Sequence, residues 1–122
     1  MIQFRSIIKP ADNCGARYLK IIHIYKGFRH KKGTIGDIAL AIVKDATPNG
    51  IVKNEEKVKV VIVRTKKEVA RADGSHIRFS DNAAVVIGSQ NNPRGSRIFG
   101  PIAREIKDAV FNKIASMAKE VY

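Results

Sequence analysis

The chain has 122 residues, 44% of them apolar, and sets 23 Lys and Arg against 11 Asp and Glu for a net charge of +12. That length suits one domain that folds without a metal or a disulfide, and the apolar fraction excludes wholesale disorder. The charge makes a compact chain repel itself unless an anionic partner neutralises it, nucleic acid first and anionic membrane next; the bland alternative is a merely soluble basic protein.

Segment 2–8 is the first candidate strand. The N-terminal stretch has scattered charge and lacks the basic start, apolar core and cleavage site of a signal peptide. "ADNCG" at 11–15 reads as a turn. Its Cys14 is the only cysteine of the chain, so no intramolecular disulfide can form, and a small buried hydrophobe is the expected role. Strands are expected at 18–25, at 37–44 ("DIALAIVK") and at 58–65. Two shorter ones, at 75–79 and 83–88, flank "SDN". Turn signals separate them: Gly27 and Gly33 around "KGFRHKKG", Asn-Gly in "TPNG" and Asp-Gly in "ADG". Ile outnumbers Leu 17 to 2, which favours strands. Short strands broken by frequent turns predict a mainly β fold, a small antiparallel barrel or a sandwich.

The last third changes period. Ile102, Ile106, Val110, Ile114, Met117 and Val121 recur at steps of three or four, predicting one amphipathic helix or two short ones packed on the β-structure. The reading is a single domain, with a barrel over 1–90 and a C-terminal loop and helices over 91–122. No apolar run approaches the ~20 residues of a membrane span, and no membrane partner is expected.

Positive charge gathers in three places. "VIVRTKKEVARADGSHIRF" at 61–79 starts as core and continues as a basic hairpin rim, with Arg64, Lys66, Lys67, Arg71 and Arg78. By strand phase Val58, Val60 and Ile62 share a face with Arg64 at its end, Lys59 opposes them, and Arg78 opposes Ile77 and Phe79. "KGFRHKKG" holds Lys26, Arg29, His30, Lys31 and Lys32 without an acid, the composition of a β-ribbon tip that meets phosphate. "NNPRGSRIFGPIAR" at 91–104 adds Arg94, Arg97 and Arg104, suited to bidentate phosphate contact. Within it Ile98 and Phe99 read first as core residues and second as an apolar contact for a neighbouring protein. Arg17 and Lys44 complete the candidate RNA contacts. Phe28 is the one plausible base stacker, so the pattern favours folded, largely helical RNA held by backbone and shape.

No catalytic, cofactor or metal constellation emerges. His23, His30 and His76 are scattered, no Cys stands at ligand spacing, and no Walker or Rossmann glycine pattern occurs. The expectation is a non-enzyme.

"ADNCGAR" at 11–17, "GDI" at 36–38, "VIVRTKK" at 61–67, "DGSHIRFSDNAAVVI" at 73–87, "GSRIFGP" at 95–101 and "ARE" at 103–105 resemble, in order and over nearly the whole chain, the bacterial-type large-subunit ribosomal protein fourteen family. The resemblance implies a five-stranded β-barrel, a projecting β-ribbon and a pair of short C-terminal helices. It implies binding to large-subunit rRNA at the subunit interface and contact with a neighbouring protein called nineteen in bacteria. It also implies a bridge to small-subunit rRNA and a face bound by a ribosome-silencing factor. Carried onto this sequence, the RNA-facing charges include Arg17, Arg29, Lys31, Lys32, Arg64, Lys66, Lys67 and Arg78. The bridge and factor face includes Ser96, Arg97, Lys113 and Ser116. The implied location is a ribosome of bacterial cytoplasm or of an organelle matrix. Cys14 stands where many relatives place Ser, and Glu68 dilutes the basic loop. A free-standing polyanion binder would explain the charge equally well, though not the ordered blocks; co-sedimentation with large subunits separates the two.

Overall fold

The computed structural model describes residues 2–3, 5–25, 32–48, 50–88, 92–108, 112–118 and 120–122, the side chains of 32, 107, 108 and 112 excepted. In chain order the strands are β1 (Ile2–Gln3), β2 (Ile7–Pro10), β3 (Tyr18–Ile24), β4 (Lys32–Gly33), β5 (Ile38–Lys44), β6 (Lys57–Arg64), β7 (Val69–Ala70), β8 (His76–Ile77) and β9 (Ala83–Ile87). Two short helices follow, α1 (Glu105–Asp108) and α2 (Asn112–Met117).

Strands β2, β3, β5, β6 and β9 close into a barrel in that order. Closure decides between the barrel and the sandwich. All neighbours run antiparallel except β2 and β9, which are parallel. A ring with an odd number of strands cannot alternate direction all the way round, so one like-directed seam is forced. The two remaining ladders are small: β1 pairs with β4 at the base of the 26–33 loop, and β7 pairs with β8 as a hairpin outside the barrel. The tip of that loop lies outside the described residues. The predicted strand at 75–79 is thus the second arm of a hairpin. Its turn is closed by Arg71 accepting from the Gly74 N–H at 3.0 Å, with Gly74 at φ +89° where a side chain would be strained. Asp73 Oδ1 accepts from the Ser75 N–H at 3.0 Å and its hydroxyl at 2.6 Å, which holds the Asp73 carboxyl below its usual range.

Strand alternation sorts the apolar residues into two cores. Inside the barrel lie Leu19, Ile21 and Ile24 of β3, Ala39, Ala41 and Val43 of β5, Val58, Val60 and Ile62 of β6, and Ala84 and Val86 of β9. Outside it, Val61 and Val63 of β6 and Ala83, Val85 and Ile87 of β9 meet Ile98, Ile102, Ala103, Ile106, Ile114 and Ala115. The second half of β6 therefore serves both cores, which is why residues 57–60 alternate Lys and Val while 60–63 is an unbroken Val/Ile run.

Over the described residues the helices run for four and six residues, and helices of a turn or two do not persist alone. They are held by the burial of Ile102, Ile106 and Ile114, each worth about 1.5–3 kcal/mol. The chain end returns beside them: Ile102 N–H donates to Glu120 O at 3.1 Å, and Tyr122 N–H donates to Ile102 O at 2.9 Å. Of the predicted stripe, Met117 is half-buried, Val121 is exposed, and Val110 lies outside the described residues.

Candidate nucleic-acid interface

The arginines divide into those bound within the fold and those left at the surface. Arg64 is only 7% exposed. A register slip between Ile62 and Arg64 interrupts the alternation of β6, and the guanidinium lies beside the 99–101 loop. Its Nη1 donates to Phe99 O at 2.8 Å and to Pro101 O at 3.2 Å. Its Nε lies 3.0 Å from Asp81 Oδ1 without an aligned hydrogen bond, and its Nη2 donates to Asp81 Oδ2 at 3.4 Å. Arg71 donates from Nε to Glu105 Oε1 at 2.7 Å and from Nη2 to Tyr122 O at 2.5 Å, fastening the β7–β8 hairpin to the C-terminal segment. Arg94 donates to Glu56 Oε2 at 2.9 Å and to Ile51 O at 3.2 Å. The bond from Arg94 holds the Glu56 carboxyl below its usual range. Two exposed surface pairs join Arg17 to Asp45 at 3.7 Å and, by two hydrogen bonds, Lys44 to Glu55 at 3.0 and 3.2 Å; such exposed pairs contribute ~0–1 kcal/mol and leave both cations open to a stronger anion.

Lys66, Lys67 and Arg78 are exposed and make no side-chain ion pair among the described residues. Together with Glu68, Ala70 and His76 they line a groove between the barrel rim and the β7–β8 hairpin, which continues past Phe79 and Ser80. Main-chain contacts fix its floor: Asn82 Oδ1 accepts the Lys66 N–H at 2.8 Å, and Thr65 Oγ1 donates to Lys67 O at 2.9 Å. Glu68 is the one acid lining that stretch, 3.8 Å from His76 Nδ1. The groove therefore presents a nearly unopposed positive lining, the electrostatic requirement for phosphate.

A second concavity is lined by Ser96, Arg97, Ile98, Phe99 and Met117. Asn13 builds its wall. Asn13 Oδ1 accepts the N–H groups of Ser96 at 2.9 Å and Arg97 at 3.2 Å, and Nδ2 donates to Ser96 Oγ at 2.9 Å. Phe99 N–H donates to Ala11 O at 2.6 Å. The two readings of the apolar pair divide between its members: Ile98 is 6% exposed and belongs to the core, whereas Phe99 is 54% exposed and faces out. Lys113 and Ser116 are exposed on α2, with the Ser116 hydroxyl donating to Lys113 O at 2.8 Å. Arg97 and Arg104 are exposed too.

Lys26, Arg29, His30 and Lys31 lie outside the described residues, and of Lys32 only the β4 backbone is described. The sequence places Met117 in the helical stripe and Asn13 in a turn, and neither is expected at this concavity. Asn13 acts across a gap of 83 residues, which no local pattern signals. Cys14 is fully buried and its thiol is pushed up to about 12, chiefly by desolvation and then by the Asp12 charge, so it is a packing group rather than a nucleophile.

Compared with known protein families, the chain matches ribosomal protein L14p/L23e over residues 1–122. The chain belongs to that family. Membership makes it a structural protein of the large ribosomal subunit, in a family that is structural rather than enzymatic. The quoted blocks now have positions: "ADNCGAR" is the seat of the 95–99 segment, "VIVRTKK" is the shared strand and its basic exit, and "GSRIFGP" is the loop that Arg64 and Asn13 hold.

Proposed function

We propose that this L14p/L23e chain binds large-subunit rRNA by seating phosphates in the groove of Lys66, Lys67 and Arg78. The observation that carries this is that they are exposed and make no side-chain ion pair among the described residues, whereas Arg64, Arg71 and Arg94 are committed to internal partners. Arg17, Lys44, Arg97 and Arg104 add further surface cations, and the basic residues of 26–32, a sequence-based expectation, are proposed as additional RNA contacts. Lys and Arg on a rigid barrel release condensed counterions when they meet RNA, so affinity falls steeply with salt. The concavity of Ser96, Arg97, Phe99 and Met117, with Lys113 and Ser116 beside it, is the protein and bridge face. Its exposed aromatic next to an exposed arginine suits a neighbouring large-subunit protein such as protein nineteen, small-subunit rRNA across the subunit gap, and a ribosome-silencing factor competing for that gap. The host ribosome is of bacterial type, in a bacterial cytoplasm or an organelle matrix.

The test is a Lys66→Ala, Lys67→Ala, Arg78→Ala triple variant, titrated against large-subunit rRNA at several salt concentrations. The slope of log affinity against log salt should become shallower by about two to three, close to one per lost contact. An unchanged slope would remove the groove from the interface.

A further inference from the structure

The C-terminal segment covers the outer face of β6 and β9. Beside that cover, on the outer surface of β3, β5 and the start of β6, the outward residues His23, Tyr25, Leu40 and Lys59 all remain at least partly exposed. None of the five barrel strands contains an Asp or a Glu. A solvated barrel wall has no reason to exclude every carboxylate; a wall that meets polyanion does.

One cluster on this wall has the make-up of a stacking site. His23 pairs with Leu40 and Leu40 pairs with Lys59, so the three stand in line across β3, β5 and β6. The Tyr25 ring meets His23 edge-on, with centroids 4.9 Å apart and planes at 81°. Lys59 Nζ lies 5.7 Å from the Tyr25 centroid. Tyr25 is nonetheless 47% exposed, so much of its phenol still faces solvent. The core of a protein–protein interface is depleted in charge, whereas an aromatic set among lysines is how single-stranded nucleic acid is held.

We propose that this wall is a second RNA site, which stacks one unpaired nucleobase on Tyr25 and holds the adjoining phosphate with Lys59. The site rests on the reading of the chain as an RNA binder, but differs in chemistry from the groove: it selects unpaired RNA, where the groove meets backbone of any shape. Sequence left Phe28 as the only stacker, and Phe28 lies outside the described residues.

The probes are two labelled RNA hairpins of equal length, one fully paired and one with an internal loop of unpaired adenosines. The parent protein should bind the looped hairpin more tightly. Tyr25→Ala should lower affinity for it about tenfold, within the range for one stacked base, and leave the paired hairpin unaffected. Tyr25→Phe should restore the preference. Lys59→Gln should make the salt slope on the looped hairpin shallower by about one. Both positions are exposed, so the melting temperatures should match the parent's. If Tyr25→Ala binds both hairpins as the parent does, or the parent shows no preference, the wall site is overturned while the groove stands. If the parent binds neither hairpin, RNA binding itself fails and the wall site with it. A crosslink from Tyr25 to a protein instead of RNA within assembled subunits would also overturn it.

Discussion

Arg64 Nη1 reaches Phe99 O at 2.8 Å across 35 residues of chain. This bond ties the end of β6, from which the basic groove departs, to the loop that forms the second concavity. Both faces are therefore positioned by one buried guanidinium, and Arg64 acts through the fold rather than by touching phosphate.

Arg64→Ala should accordingly behave as a stability variant. It removes two bonds to carbonyls and strips Asp81 of its partner, a loss of about 2–4 kcal/mol. The low end is favoured because the Asp81 side chain is 31% exposed and water can replace part of the loss. Urea denaturation should show a lower midpoint with an unchanged slope. Lys67→Ala should leave the midpoint within about 0.5 kcal/mol of the parent and alter only RNA binding. An Arg64→Ala, Lys67→Ala double variant should therefore be incorporated less into large subunits for two separable reasons, lost stability and a lost RNA contact.

Gly100→Ala tests the same lock from the other side. Gly100 has φ +79°, and a Cβ there would run into Arg64 Nη1. The substitution should cost about 1–3 kcal/mol through backbone strain and displacement of the guanidinium. Against an Arg64→Ala background the cost should shrink, since the collision partner is gone. A double-mutant cycle in urea checks this, with non-additivity the expected outcome.

Asp12 gives the stability a pH dependence of unusual sign. Its carboxyl is buried, with Oδ2 accepting the Val86 N–H at 3.3 Å, and burial raises its pKa above the ordinary 3.8. A raised acid holds its proton longer in the folded state. Its contribution is therefore present at low pH and lost as pH rises from the ordinary value through the raised one. Glu56 runs the other way: its lowered pKa gives stability above the ordinary 4.5 that is lost on acidification. The parent minus Asp12→Asn difference in unfolding free energy should grow in the parent's favour as pH falls from 7 toward 4. A flat difference would show that Asp12 titrates normally.

Much of this architecture was legible in the sequence because its signals are local. Ile and aromatic richness located β3, the apolar stretch "DIALAIVK" located β5, the Val/Ile run located β6, and Asp-Gly located the β7–β8 turn. Basic composition located the groove at 66–78. What local pattern could not supply was pairing over distance. Arg64, Arg71 and Arg94 look alike in sequence to Arg78, Arg97 and Arg104. Only the fold brings Phe99, Glu105 and Glu56 to the first three, while the others make no side-chain ion pair among the described residues. Phase counting also misplaced Arg64, because the register slip after Ile62 breaks the parity on which the count depends. Ile98 and Phe99 could not be separated by composition, since both are apolar and adjacent; the pairing of Asp12 with Ile98 sets which one turns inward.

The central claim is that the unpaired cations of the groove meet RNA phosphate in the assembled particle. The direct measurement is amine acylation of Lys66 and Lys67, read by mass spectrometry in free protein and in intact large subunits. Both amines should react readily in the free protein and be protected at least about tenfold in the subunit. Equal reactivity in the two states would contradict the account.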